Sequence, residues 1–337
     1  MPDWTKSMQR TYEYYLVDPL SWCDKSRITC VKSSTIERDS SEATNGHATL
    51  EVTESLNECY VRIYMVVIQN GITEKFPLAT VLAQTPGNDF DGKIANMSID
   101  AYMPLVELKE TLPPYGFTVM KNANIMENAC KNIREHMRAP LIITESKKTL
   151  VENFVSNTDD TWLSFNSDLI AKADFSFSTD EMGTVTFSPK RELEAMQPVV
   201  TFGDDEHSIL QPSISTEYDL YGVPNVVEVI YSGDNQFFKS RIENNDPTSI
   251  TSTVNRGRET LYRDTNPNIT GTVSQSILDT YAKNLLKAKS TLEYKVTFKH
   301  AYYPVRVGDC VRLNYERAGL ENVKVKITSQ SIPCDAA

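Results

Sequence analysis

An Asn-Gly pair at residues 70–71 joins two long β-forming runs. Before it stands Cys59 to Gln69 (CYVRIYMVVIQ), and after it Ile72 to Ala83 (ITEKFPLATVLA). Asn-Gly accepts the two consecutive positive φ angles of a type I′ turn, whose twist matches that of the strands it connects. The segment is expected to be a long hairpin, and a hairpin needs further strands and a core to be stable in water. Pro77 has no N–H to give a ladder, so the second arm is expected to be an edge or to bulge there.

The same reading extends along the chain. Ala48 to Thr53 alternates apolar and polar residues, the period of a half-buried strand. Asp91-Gly92 marks a turn, and Lys93 to Leu108 (KIANMSIDAYMPLVEL) is expected to resume a strand interrupted at Pro104. The period then changes. Ile125, Ala129, Ile133 and Met137 share one helical face, and Pro140 ends that helix. A second helix is expected from an N-cap at Thr158 or Asp159, with Trp162, Phe165, Leu169 and Ala173 on one face. A short hairpin over Ala173–Phe177 and Val185–Phe187 follows, turning at 180–183. Lys190 to Glu194 and Asp204-Asp205-Glu206 read as solvated linker.

The last region returns to strand. Asn225–Ser232 and Gln236–Ile242 flank a three-residue loop, Gly233-Asp234-Asn235. Asp246 to Thr270 reads as a long polar loop. Ile277 to Lys289 reads as a helix with Ile277, Tyr281, Leu285 and Ala288 on its apolar face. Thr291 to His300 alternates cleanly, and Val311–Tyr315 and Asn322–Ser329 add two strands around an Ala318-Gly319 turn. The fold class is therefore α+β, mainly β. Two β domains, 1–120 and 196–337 (the second with one helix), flank a small α+β module at 121–195.

Chemistry is sparse. The chain has no phosphate-binding loop, dinucleotide fingerprint, nucleophile elbow or zincin motif. The six Cys are scattered without a C-x-x-C pair and are expected to be free thiols, mostly buried. His47, His136, His207 and His300 are far apart and lack zinc-ligand spacing. Asp159-Asp160 suits a helix start, whereas a glycosidase needs two carboxylates facing each other across a sugar. No catalytic, cofactor-binding or metal-binding residue is nominated, and no cofactor is expected. Tyr12, Tyr14, Tyr15, Tyr302 and Tyr303 are read as sheet face or subunit contact ahead of ligand-stacking surface. No apolar run reaches membrane-span length and no signal peptide is visible.

The order of short segments resembles the hub proteins of long-tailed phages and related phage-like particles. These segments are Phe76–Thr80 (FPLAT), Ala101–Leu108 (AYMPLVEL), Asp159–Leu163 (DDTWL), Met182–Pro189 (MGTVTFSP), Gly222–Val227 (GVPNVV), Asn255–Glu259 (NRGRE) and Tyr303–Val311 (YPVRVGDCV). The resemblance implies a structural virion protein, made in the host cytoplasm and lodged at the tail tip or baseplate. It implies a homotrimer whose two tail-tube-like β-barrel domains per copy form a pseudo-sixfold ring. That ring would join the sixfold tail tube to a threefold tip and form part of the DNA conduit. The implied neighbours are a tail tube or distal tail protein, a tip spike or fibre protein and a tape measure protein, with DNA only in transit. Some hubs carry a peptidase or lysozyme domain. None is expected here, where the chain stops at Ala337, and Ile332–Ala337 is where a longer parent would have been cut. The alternative is a β-rich cell-wall hydrolase or carbohydrate-binding adhesin of the tail tip.

Formal net charge is −11, against general binding to nucleic acid or anionic membrane. Residues 1–240 hold net −15, whereas 281–337 hold net +5. In a ring traversed by DNA, the acidic part is expected to face the lumen, since carboxylates repel phosphates. The basic part, with Lys295, Lys299, Lys324 and Lys326, is expected to face outward or meet an acidic neighbour.

Overall fold

The structure is a computed structural model that describes residues 2–90, 95–204, 209–233, 236–265, 267, 273–290, 292 and 294–335. The turns expected at Asp91-Gly92 and Asp234-Asn235, and the acids Asp205 and Glu206, lie outside the described residues.

The chain opens with four strands, β1 (Gln9–Val17), β2 (Asp24–Ile28), β3 (Val31–Asp39) and β4 (Gly46–Val52). β5 (Cys59–Gln69) and β6 (Ile72–Phe90) are the expected hairpin. Asn70 at φ 53° and Gly71 at φ 77° supply the two positive angles of the turn. The ladder slips once: Ile63 faces Ala79 but Tyr64 faces Pro77, so Leu78 is the extra residue. Pro77 thus lies at a bulge, as expected, in the part of β6 that precedes its pairing with β7 (Ala95–Tyr102), which begins at Leu82.

The strand expected to resume after Pro104 is instead α1 (Val106–Glu110), with Val106 and Leu108 buried. Proline removes a ladder donor, and its fixed φ suits the start of a helical turn. Next come β8 (Thr118–Val119), α2 (Ile125–His136), β9 (Phe154–Val155), α3 (Trp162–Ala171) and the hairpin β10 (Phe175–Thr179)–β11 (Val185–Pro189). Asn124 caps α2 by accepting from the Glu127 N–H. The cap of α3 is Thr161, two or three residues later than expected. Thr161 and Ser164 form a reciprocal capping box, while Asp160 accepts from the Asn157 N–H at 2.7 Å. The predicted faces hold: Ile125, Ala129, Ile133, Met137, Trp162, Phe165, Leu169 and Ala173 lie in one core.

The remaining elements are β12 (Thr201–Gly203), β13 (Leu210–Tyr218), β14 (Val226–Gly233), β15 (Gln236–Glu243), α4 (Thr253–Arg256), β16 (Leu261–Asp264), α5 (Gln275–Ser290), β17 (Tyr294–His300), β18 (Cys310–Tyr315), β19 (Leu320–Lys326) and β20 (Ser329–Cys334). Gly233 pairs with Gln236, so it ends the ladder instead of opening a three-residue loop. The segment 246–270 holds two elements where only loop was expected. α4 is capped by Ser252 and closed by Gly257 at φ 60°, and β16 runs parallel to β14.

The chain divides into two compact units, residues 1–210 with 301–337, and residues 211–300. In the first, eight strands form one sheet in the order β2-β1-β5-β6-β7-β4-β3-β20. The sheet curls around its core. The Tyr14 hydroxyl on β1 lies 3.0 Å from Ser34 Oγ on β3 and donates to the Cys334 carbonyl on β20 at 3.5 Å. Leu50, Ile63, Met65, Leu78, Ile99 and Ile332 fill the interior. The C-terminal strand thus belongs with the N-terminal sheet, because Ile332 and Cys334 turn inward beside Ile36. A three-stranded sheet, β12-β18-β19, and the two-stranded β8-β9 and β10-β11 also belong to this unit.

The second unit has a thinner core. α5 lies on the sheet β15-β14-β16, burying Leu278, Ala282 and Leu286 against Val227 and Val229. The buried stripe is one residue out of step with the expected one: Ile277 and Ala288 are exposed, and Tyr281 and Leu285 flank the contact. Ala282 at the centre lets helix and sheet approach closely. β13 and β17 form a separate two-stranded ribbon.

Two glycines separate strain from clash. Gly71 has φ 77° and open space around a notional Cβ, whereas a Cβ on Gly46 (φ 130°) would lie 2.1 Å from the Glu37 carbonyl oxygen. Gly71→Ala is expected to cost about 1 kcal/mol and Gly46→Ala clearly more, about 2–3 kcal/mol, in urea unfolding. Equal losses would refute the close approach of β3 and β4.

Candidate functional site

One run in the first sheet breaks its own pattern. Within CYVRIYMVVIQ, Arg62 is placed among apolar neighbours, and its side chain is 1% exposed. Its Nε donates to Thr80 Oγ1 at 2.9 Å, and Nη1 donates to Asp24 Oδ1 at 2.7 Å. Nη2 donates to the carbonyls of Trp22 (3.2 Å) and Met182 (3.1 Å). Thr80 then donates to the Glu181 carbonyl at 3.1 Å, and the Trp22 indole N–H to that of Met182 at 2.8 Å.

The turn at 180–183 is therefore seated on the sheet. Gly183 at φ 76° permits this, since a Cβ there would lie 2.9 Å from Thr80 Cβ and 3.0 Å from Trp22 Cζ2. Trp22 itself is held at φ 57°, a strained angle for a bulky residue, with its ring 4.7 Å from that of Tyr60.

Glu181 extends the joint to two more segments. Its carboxylate accepts a two-point contact from Arg306, Nε at 2.8 Å and Nη2 at 2.7 Å, and lies 3.7 Å from Arg38. Arg38 also donates to the Leu78 carbonyl. The Arg306–Asp309 stretch is a tight turn, with Asp309 Oδ2 accepting from the Arg306 N–H at 2.8 Å and Gly308 at φ 96°. Three segments remote in sequence, 38–80, 180–183 and 306–309, are thereby fixed to one another. The geometry makes a joint of matched donors and acceptors. Nothing in the sequence analysis singled out Arg62 or Glu181. The available signal was a lone arginine in an otherwise apolar strand.

The residues that the sequence did raise do not converge. All six cysteines are free; Cys130, Cys310 and Cys334 are buried, Cys30 and Cys59 half-buried and Cys23 exposed. His47 meets Glu42 at 3.2 Å, and His136 stacks on Trp162 at 4.1 Å with Nδ1 2.9 Å from the Asn132 carbonyl. Lys324 donates to the carbonyls of Glu194 and Met196, whereas Lys295 and Lys299 are exposed. Among the described residues no three His, Cys, Asp or Glu groups are placed to hold a metal ion. A cleft of about 270 Å³ beside α2 is lined by Ile125, Leu150, Val151, Phe154 and Lys172, without a carboxylate pair.

The tyrosines are structural. Tyr302 packs edge-on against Trp4 at 5.3 Å, Tyr303 lies 6.2 Å from Phe202, and Tyr15 and Tyr64 hold Lys75 over their rings at 3.8 and 4.0 Å.

Solved structures with a similar fold include tail proteins. The tail protein from Neisseria meningitidis MC58 matches with a TM-score of 0.66 at 10% identity, over 96% of this chain and 92% of its own. The 43 kDa tail protein of prophage MuSo2 from Shewanella oneidensis matches at 0.64 and 10% identity, over 96% and 94%. A chain of the lidded Francisella PdpA-VgrG complex matches at 0.55 and 9% identity; this chain is 97% covered and spans about half of that one, 49%. No protein-family model matches, and no curated protein matches in sequence. The chain has the fold of phage tail proteins, mainly β with a small helical module, as the resemblance to tail hubs implied.

Removing the guanidinium takes a donor from Asp24, Thr80 and the carbonyls of Trp22 and Met182; Asp24 keeps the Tyr64 hydroxyl and Met182 the Trp22 indole N–H. Arg62→Ala is therefore expected to cost about 3 kcal/mol or more in urea unfolding, with Arg306→Ala, more exposed, costing less. A loss under about 1 kcal/mol for Arg62→Ala would refute the joint.

Burial pushes the hydroxyls of Tyr14 and Tyr302 up to about 12, from 10.0. The fold favours their neutral forms, so their contribution is complete below pH 10 and is lost as pH rises through 12. Alkaline titration is expected to show delayed phenolate absorbance for these two, with stability falling over that window.

Proposed function

We propose that this chain is a tail hub: a structural virion protein that assembles as a homotrimer. In this reading the ring joins the sixfold tail tube to a threefold spike or fibre at the tip and forms part of the DNA conduit. The carrying observation is the fold match to two tail proteins over more than nine-tenths of each chain. Each copy brings two barrel-forming regions, 1–120 and 196–337, around the 121–195 module, with β20 given to the first sheet. Its neighbours are a tail tube or distal tail protein above, a spike or fibre protein below, and a tape measure protein in the lumen. The acidic residues 1–240 line that lumen and repel the DNA in transit. Catalysis has no part in this role. Among the described residues, no helix is long and apolar enough to cross a membrane.

The surface supports assembly. The second unit leaves nine large apolar side chains exposed among its described residues, including Tyr221 (91%) and Phe237 (66%). Several are presented by an ordered loop. Arg256 donates to the carbonyls of Val223 and Leu220, and Asn255 to those of Pro247 and Ser249, which pins Tyr221, Ile250 and Val254 in place. Apolar side chains displayed on a preorganised loop suit a protein interface.

Native mass spectrometry of the purified chain is expected to give three times the 38.0 kDa subunit mass. A strict monomer at micromolar concentration and above would overturn the trimer. The same sample is expected to leave peptidoglycan and peptide substrates intact.

A further inference from the structure

Charge is divided unevenly between the two units. Residues 1–210 and 301–337 hold 24 Lys and Arg against 35 Asp and Glu, net −11, whereas residues 211–300 hold ten of each. Within the second unit, the positive charge gathers at its C-terminal end. Residues 281–300 carry five lysines and a single acid, Glu293.

The fold gives these lysines firm mountings. Lys283 and Lys289 are exposed on α5, whose other side is buried against β14 and β15. Lys295 and Lys299 are exposed on one face of β17, about 13 Å apart along the strand. The opposite face carries Val296, Phe298 and His300, all half-buried. Two large apolar side chains, Ile277 on α5 and Tyr294 on β17, are exposed nearby in sequence. Like charges held in this way repel one another, and an anionic surface docked on them removes that repulsion.

We propose that these lysines, on the exposed sides of α5 and of β17, dock on the acidic first unit of a second copy of this chain. The inference rests on the reading of the chain as a ring former, and it names the contact that joins one copy to the next. Charge complementarity selects the occupant. First units meeting each other would set net −11 against net −11, whereas a head-to-tail contact pairs opposite signs at every junction. Such a heterologous contact closes into a ring when the rotation between copies permits.

The test mixes isotopically light and heavy chains and treats them with a carbodiimide, which joins amines to carboxylates at zero length. Expected are light–heavy links from Lys283, Lys289, Lys295 or Lys299 to acids within 1–210 or 301–337. The double variant K295E/K299E, checked for native melting, is expected to raise the dissociation constant at least about tenfold. Salt should weaken the wild type more than this variant. A second pair, K283E/K289E, is expected to act in the same direction. Trimers whose links from these lysines stay within one copy, or reach only second units, overturn the inference and leave the ring reading standing. So does association untouched by both charge reversals. A chain that stays monomeric at every concentration and salt overturns the ring reading, and this contact with it.

Discussion

A guanidinium out of reach of water needs acceptors for its N–H groups, because an unmatched buried donor costs roughly 1–3 kcal/mol and more when charged. Arg62 finds four: one hydroxyl, one carboxylate and two backbone carbonyls. These acceptors come from β2, β6, the strained Trp22 and the turn of the β10–β11 hairpin. The small helical module is thereby held against the first sheet through directional bonds as well as apolar packing. Glu181, in the same turn, ties in Arg38 of β3 and Arg306 near the C-terminal end of the first unit. One buried cation and one largely buried anion fix the relation of segments more than 100 residues apart. Oil-like contact alone resists sliding poorly; a set of matched donors and acceptors specifies a single placement.

That joint also bears on what was legible in the sequence. Local rules read well wherever the determinant was local. Asn70-Gly71 set a hairpin register, Pro77 set a bulge, and the spacing of Ile125, Ala129 and Ile133 set a buried helical face. Reading failed where the determinant was distant. β16 has four residues and no alternation of its own, and is extended because β14 offers it a parallel ladder. α1 forms after Pro104 because Val106 and Leu108 find burial one way and a ladder is closed to the proline. The face of α5 was misjudged by one residue because two adjacent stripes are equally apolar, and the sheet chose the one containing Ala282. β20 was read within a C-terminal domain, since its pairing with β3 spans almost 300 residues.

The functional reading was legible in a different way. No side chain in the sequence nominated a chemistry; the signal lay elsewhere. What carried over was the sequence order of small segments, and the structure gives several of them physical roles. Met182-Gly183 seats the turn on Thr80 and Trp22, and Gly308-Asp309 closes the turn that delivers Arg306 to Glu181. Asn255 and Arg256 brace the loop that displays Tyr221 and Val254. Segments of this kind serve placement within the fold.

The two units divide that work by surface character. The first is well cored and strongly acidic; the second is thinly cored, electrically balanced overall and rich in exposed apolar groups. A small unit with few buried side chains has little stability of its own to spare. In the ring proposed above, covering its apolar loop would add burial where the unit has least. The Glu228 carboxylate shows how far the free unit goes alone. The Lys239 ammonium and the Arg263 guanidinium, each 2.6 Å away, hold it below the usual carboxylate range, while Arg241 bridges Glu243 of its own strand and Glu259 in the stretch before β16. These ion pairs satisfy the face of the sheet that α5 leaves uncovered. In the ring proposed above, the second unit would gain apolar burial from assembly, and the acidic first unit of the next copy would supply the opposite charge that directs it.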